Sequence, residues 1–194
     1  MDIRKPNKFR KFICSATRFL NDQDGVAAIE FAMVMPFLVL FMVGAVNLFD
    51  GYQGAEAYQK AGTTVVDLVT RQETEFGDTE RDMIFATADA LLGKYGGSSD
   101  FEISITSVVN EFDSDSDPTL TIEWSEANIP SAELIEAELI NYKIPSIAEG
   151  GTVILIVMSG SYKSFTLTDY FGEYSYSRYF IRRPRFLDSI PYQG

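Results

Sequence analysis

The sequence predicts an α+β fold in which a long N-terminal transmembrane helix continues into an amphipathic helix and packs on a small antiparallel sheet. Three observations carry this expectation. Residues 26–49 are apolar and long enough to cross a bilayer, apolar positions then recur every three or four residues from Tyr52, and beyond residue 101 the period falls to two. Helices first and strands after, joined by short turns, is the order of an α+β domain.

Charge divides the chain in the same places. Of the formal −12, residues 1–25 contribute +3, from Arg4, Lys5, Lys8, Arg10, Lys11 and Arg18 against Asp2, Asp22 and Asp24, which leaves −15 for the remainder. A basic head, an apolar stretch and an acidic body is the order expected when Lys and Arg stay on the cytoplasmic side. The expected organisation is a basic cytoplasmic leader (1–25), a transmembrane helix (26–49) and an acidic α+β domain (50–194) in the periplasm or on the cell surface. The acidic body argues against nucleic acid, whose phosphates need clustered Lys and Arg. The single cysteine, Cys14, falls in the leader, so no intramolecular disulfide is possible. Histidine is absent, which removes the commonest general base and zinc ligand. No cofactor or metal is expected, and no catalytic residue is assigned.

The apolar segment reads GVAAIEFAMVMPFLVLFMVGAVNLF over residues 25–49. As a helix, residues 26–49 span roughly 36 Å at about 1.5 Å per residue. Their Phe, Leu and Val side chains contribute on the order of −3 to −6 kcal/mol to insertion, against about +3 for a mid-membrane carboxylate. Glu30 lies near the entry end, where the cost is smaller. Its position fits either a functional, paired carboxylate or one that snorkels to the interface. Pro36 cannot donate to the carbonyl of Ala32 and is expected to loosen or kink the helix.

Gly25-Val26-Ala27-Ala28-Ile29-Glu30-Phe31-Ala32, followed by Pro36 and a Leu- and Phe-rich run behind a basic leader, resembles the start of TadE/TadG-like proteins of the Flp (tight adherence, Tad) pilus system, and of prepilins in general. The basic run Arg182-Arg183-Pro184-Arg185-Phe186 is similar to the ending of many such proteins. The resemblance implies that a prepilin peptidase cuts between Gly25 and Val26, which puts Glu30 at the fifth position of the mature chain. It also implies that Glu30, with Phe31 and Pro36 in the same segment, serves assembly, the carboxylate pairing with the N-terminal amine of a neighbouring subunit.

Beyond the membrane, Tyr52, Ala55, Gln59, Gly62, Val66 and Val69 mark a stripe on a helix expected to run to Arg71. The stripe suits either the domain core or a neighbouring subunit. Residues 72–77 read as a loop, and Asp78 or Thr79 is a candidate cap for a second helix to Leu92, closed by Gly93, Gly96 and Gly97. Residues 101–106 and 120–124 alternate strictly and predict a hairpin around residues 113–118. A short helical stretch is expected over 132–142. The unbroken apolar run 152–158 predicts a central buried strand, and residues 174–181 the last strand.

Asp113, Asp115 and Asp117 begin like a calcium loop, but Pro118 stands where Gly is needed and Trp124 where a bidentate Glu is needed, so the segment reads as a solvated acidic turn. Glu136 with Glu138, or Glu73 with Glu75, have the residue types for acid-base work, yet in a chain with 28 acids such pairs arise by composition. Arg178, Arg182, Arg183 and Arg185, among Tyr176, Tyr179 and Phe180, form a possible partner surface. The competing reading is an edge strand whose charges discourage aggregation.

The functional expectation is a minor pilin-like (pseudopilin) component of Tad/Flp pilus assembly. It would be a single-pass bacterial inner-membrane protein that acts structurally, with pilin-like subunits, the assembly machinery and the prepilin peptidase as partners. The alternatives are a membrane-anchored periplasmic binding module outside any pilus, and a secreted domain released after Val43-Gly44-Ala45.

Overall fold

A computed structural model describes residues 24–96, 101–112, 118–164 and 172–193. The basic leader up to Gln23 with Cys14, Gly97, and the acidic turn with Asp113, Asp115 and Asp117 lie outside the described residues. The chain divides into two compact units, residues 1–46 and 47–194.

Helix α1, Asp24–Thr70, runs without a break through Pro36. Its first part, up to residue 46, carries large apolar side chains that face outward, with Phe31 61% and Phe41 77% exposed. It is long and apolar enough to cross a membrane, as one N-terminal anchor helix requires. Within the second unit the helix becomes two-sided. Tyr58, Ala61, Val65, Val66 and Val69 are buried, while Gln59 and Lys60 face water. The expected stripe holds at Gly62, Val66 and Val69, which are buried, but not at Tyr52 and Gln59, which are exposed; Gly51 and Gly54 take the inward positions near Tyr52. Tyr52 carries the larger apolar surface, so a periodicity counted on side chains favours it over the glycines on either side.

The second unit continues with β1 (Phe76–Gly77), α2 (Asp78–Leu92), a 3-10 turn (Gly93–Tyr95), β2 (Phe101–Phe112), β3 (Pro118–Ala127), 3-10 turns at Pro130–Ala132 and Glu136–Asn141, β4 (Thr152–Lys163), β5 (Glu173–Arg182) and β6 (Tyr192–Gln193). Strands β2 to β5 make one antiparallel sheet in the order β3-β2-β4-β5. This is the α+β architecture expected, with α1 and α2 on a four-stranded sheet.

The continuous apolar run in β4 is explained by cover on both faces. Ile154, Ile156 and Met158 join Tyr58, Val65, Ile84 and Leu92 from the helices in one core. Val153 and Leu155 join Leu134, Leu139 and Ile147 in a second core beneath the sheet. The expected helix over 132–142 is realised as two 3-10 pieces, which is enough to lay Leu134 and Leu139 over that face.

Three local expectations are corrected. The cap position of α2 is Gly77 rather than Asp78 or Thr79 and makes no side-chain bond; Asp78 and Glu80 sit in the first turn, where their charge suits the helix dipole. Strict alternation in β3 breaks at Glu123, because Ser107 pairs with Trp124 and Val108 with Ile122, so one extra residue lies in β3. That bulge turns Trp124 to the helix side of the sheet, where it stacks on Phe76 at 5.2 Å and donates to the carbonyl of Ile190 at 2.7 Å. Finally, β5 is not the last strand. The chain returns, and β6 pairs in parallel with β1, which lies in the stretch expected to be all loop.

Alternate residues of β5 meet α1 where α1 has no side chain. A Cβ at Gly51 would lie 2.7 Å from the Tyr174 ring, and one at Gly54 or Gly62 would strike Tyr176 or Phe180. Gly62→Val is therefore expected to destabilise the second unit by about 1–3 kcal/mol through overpacking. Gln59→Ala, on the exposed side, should stay within about 0.5 kcal/mol. Denaturant unfolding of the detergent-solubilised chain, followed by the fluorescence of its one tryptophan, reads both.

Candidate functional site

The residues singled out in the apolar segment lie on an open surface. Gly25, Val26, Glu30, Phe31 and Pro36 are all exposed, and a Cβ built at Gly25 meets nothing within 4 Å. Helix periodicity alone places Val26 and Glu30 one turn apart on one face.

Where α1 enters the second unit, a collar of polar and aromatic groups closes on it. The Asp50 carboxylate accepts from Lys94 Nζ at 2.6 Å, the Tyr162 hydroxyl at 2.9 Å and the Ser164 hydroxyl at 3.0 Å, and the Tyr95 hydroxyl lies 3.2 Å away. Buried Asn47 accepts from the Tyr174 hydroxyl at 2.8 Å, and the Gly51 carbonyl from the Tyr176 hydroxyl at 2.9 Å. The Lys94 ammonium sits 4.7 Å from the centre of the Tyr95 ring. Its pKa is raised, chiefly by the Asp50 carboxylate and then by Tyr95. Burial, and then donation to Asp50, raises that of Tyr162. The sequence reading missed this collar. Its signal was Asn47 and Asp50, three apart and the first strongly polar residues after the apolar run, together with a body that holds all ten of the chain's tyrosines.

The four arginines of the possible partner surface are not used alike. Arg182 and Arg185, with Arg71, converge on Asp67 of α1: Arg71 at 2.7 Å, Arg182 at 3.5 Å, and Arg185 in direct hydrogen-bonded contact. The Arg185 backbone N–H also donates to the Thr70 carbonyl at 3.0 Å and so satisfies the C-terminal end of α1. Among the described residues Arg183 reaches only the Ser146 carbonyl, at 3.4 Å, and Arg178 its neighbour's, at 3.3 Å. Neither has a carboxylate partner among the described residues. Strand β5, which carries Arg178 and Arg182, is at the sheet edge.

A second polar cluster ties the C-terminal segment down. Arg81 pairs with Asp78 at 2.8 Å and Glu126 at 3.1 Å, and the Tyr192 hydroxyl donates to Asp78 at 2.7 Å. Among the described residues there is no group of three His, Cys, Asp or Glu able to hold a metal ion.

An exposed apolar N-terminal helix that runs on into a small α+β domain fits a single-pass membrane anchor. More particularly, residues 25–57 match the family model of the TadE-like proteins, so the resemblance read from the Gly25 segment holds over that stretch. No curated protein and no solved structure matches the chain.

The tyrosines make the second unit sensitive to alkali. Burial pushes Tyr176 up to about 12; burial and donation to Asp78 push Tyr192 up to about 12. Both stand above the ordinary tyrosine value of about 10, so the folded state holds the protons more tightly than the unfolded chain. Their contribution is complete below about pH 10 and is lost as pH rises towards 12. The denaturant midpoint is expected to fall over that interval, and to fall less steeply in Tyr192→Phe, although this variant starts lower for want of the Asp78 bond.

Proposed function

We propose that the chain is a minor pilin-like component of Tad/Flp pilus assembly that acts structurally, through its membrane helix, and not by catalysis. The observation that carries this reading is a coincidence of position. The TadE-like match begins at Gly25 and runs to residue 57, and the exposed apolar part of α1 begins within one residue of the same place. In this reading the basic leader lies in the cytoplasm and the acidic domain lies beyond the bacterial inner membrane. A prepilin peptidase removes the leader between Gly25 and Val26. The partners are then other pilin-like subunits and the assembly machinery.

Glu30, Phe31 and Pro36 belong to the assembling surface. An exposed carboxylate one helical turn from a newly freed amine is placed to meet the amine of a neighbouring helix, and such a pair gains strength in low dielectric. Pro36 gives the helix a point at which one backbone bond is missing. On the domain, Arg178 and Arg183 have no carboxylate partner among the described residues, whereas Arg182 and Arg185 are engaged with Asp67. Three domains follow from this account: leader 1–25, membrane helix 26–49 and acidic domain 50–194.

Processing is tested at Gly25. Mass spectrometry of the purified chain should find Val26 at the N-terminus, and Gly25→Leu should yield the full-length protein; an identical mature mass in both would remove the prepilin reading.

Assembly is tested at Glu30. Losing one member of a poorly solvated ion pair costs about 3–5 kcal/mol, equal to roughly two to three and a half decades in association. Glu30→Ala should insert and be processed as the parent is, yet no longer co-purify with other pilin-like subunits or support piliation. Normal piliation at normal protein level would leave the membrane-anchored module as the better account.

A further inference from the structure

Within the second unit, α1 is held by two kinds of contact that meet near Tyr58. From Tyr58 to Val69 the inward residues are apolar and wholly buried. Over residues 47–54 the inward positions are Asn47, Asp50, Gly51 and Gly54, and the attachment is by hydrogen bonds and ring contacts. The donors come from three separate places: Lys94 and Tyr95 from the turn after α2, Tyr162 at the end of β4 with Ser164 just beyond it, and Tyr174 and Tyr176 from β5. The Tyr95 and Tyr176 rings stay in the core, and it is their hydroxyl contacts that can be exchanged for water. Four of those six groups address one carboxylate, that of Asp50.

We infer that residues 47–54 form a clasp with Asp50 as its keystone, a part of α1 that opens and closes on the domain independently of residues 58–69. Each hydrogen bond at the clasp competes with water, so its net worth is small and its loss local. The apolar stretch beyond Tyr58 has no such exchange open to it and separates only when the core does. Lys94 illustrates the difference, because its side chain is 58% exposed even while it is bound to Asp50. Closed, the clasp makes these turns of α1 part of the domain; open, it frees them while sheet and core persist. The proposal does not depend on the pilus reading, since it concerns only contacts inside the second unit.

Hydrogen exchange of the full chain in detergent micelles, read by mass spectrometry, tests it. In the parent protein, residues 47–54 should exchange faster than residues 58–69. Asp50→Ala should accelerate exchange over 47–54 by about tenfold or more, the order expected for losing a charged hydrogen-bond centre. Residues 58–69 and strands β2 and β4 should be unchanged. Lys94→Met, which removes one donor, should give a smaller rise in the same segment and serves if Asp50→Ala fails to accumulate. Unchanged exchange over 47–54 in these variants would overturn the proposal. So would a rise of equal size across 47–69 and the sheet, which would make Asp50 part of the global cooperative unit.

Discussion

One continuous helix has to satisfy two different solvents, and the remainder of the structure is arranged around that constraint. Over residues 26–46 most of its large side chains are exposed. In water such a surface costs about 25 cal/mol per Å², and a continuous apolar cylinder is far beyond the patch a soluble monomer exposes. A hydrocarbon surrounding removes that cost, and the helix meets its own backbone hydrogen bonds apart from the one that Pro36 cannot donate. From Asn47 the same helix needs one wet and one dry face, and the sheet supplies the dry one.

The join is made by pairing absence with bulk. Gly51, Gly54 and Gly62 leave gaps on α1, and Tyr174, Tyr176 and Phe180 of β5 fill them. Rings supply much apolar area with little rotamer freedom to lose, and a phenol adds one donor at its tip. Here the donors are spent on the Asn47 side chain and the Gly51 carbonyl, both buried on the helix. Glycine inside a helix ordinarily costs about 0.5–1 kcal/mol relative to alanine. Three of them are tolerated because each admits a ring that an alanine would displace.

The fold was largely legible in the sequence because its main signals are periodic: an uncharged run, a 3.6-residue stripe, a strand hairpin and an unbroken apolar strand. What escaped was non-periodic. The bulge at Glu123 inverts the face of Trp124 without any change in composition, since Leu120, Ile122 and Trp124 alternate whether or not the ladder slips. The β1–β6 pair joins residues more than a hundred apart through two-residue strands, too short to carry a pattern. The collar was invisible for a related reason: Asp50, Lys94, Tyr162 and Ser164 become one site only when α2 and β4 end at the same level of α1. The TadE-like segment, by contrast, was legible because it is a contiguous motif.

The arginines show why counting charge says little about where it acts. The body carries ten basic residues against a formal −15, yet three of them, Arg71, Arg182 and Arg185, meet on a single aspartate at the end of α1. Exposed pairs of this kind contribute at most about 1 kcal/mol each. Their stronger effect is geometric. They bring the segment after β5 to the C-terminal turn of α1, where backbone carbonyls need donors and the helix dipole favours cations, and the Arg185 N–H supplies one such donor to Thr70. The same segment then runs on to Ile190, buried under Trp124, and to β6. Charge on this side of the domain thus serves first to fasten the chain's return, and the guanidiniums of Arg178 and Arg183, which fasten nothing to a carboxylate among the described residues, are the ones left for an acidic surface to meet.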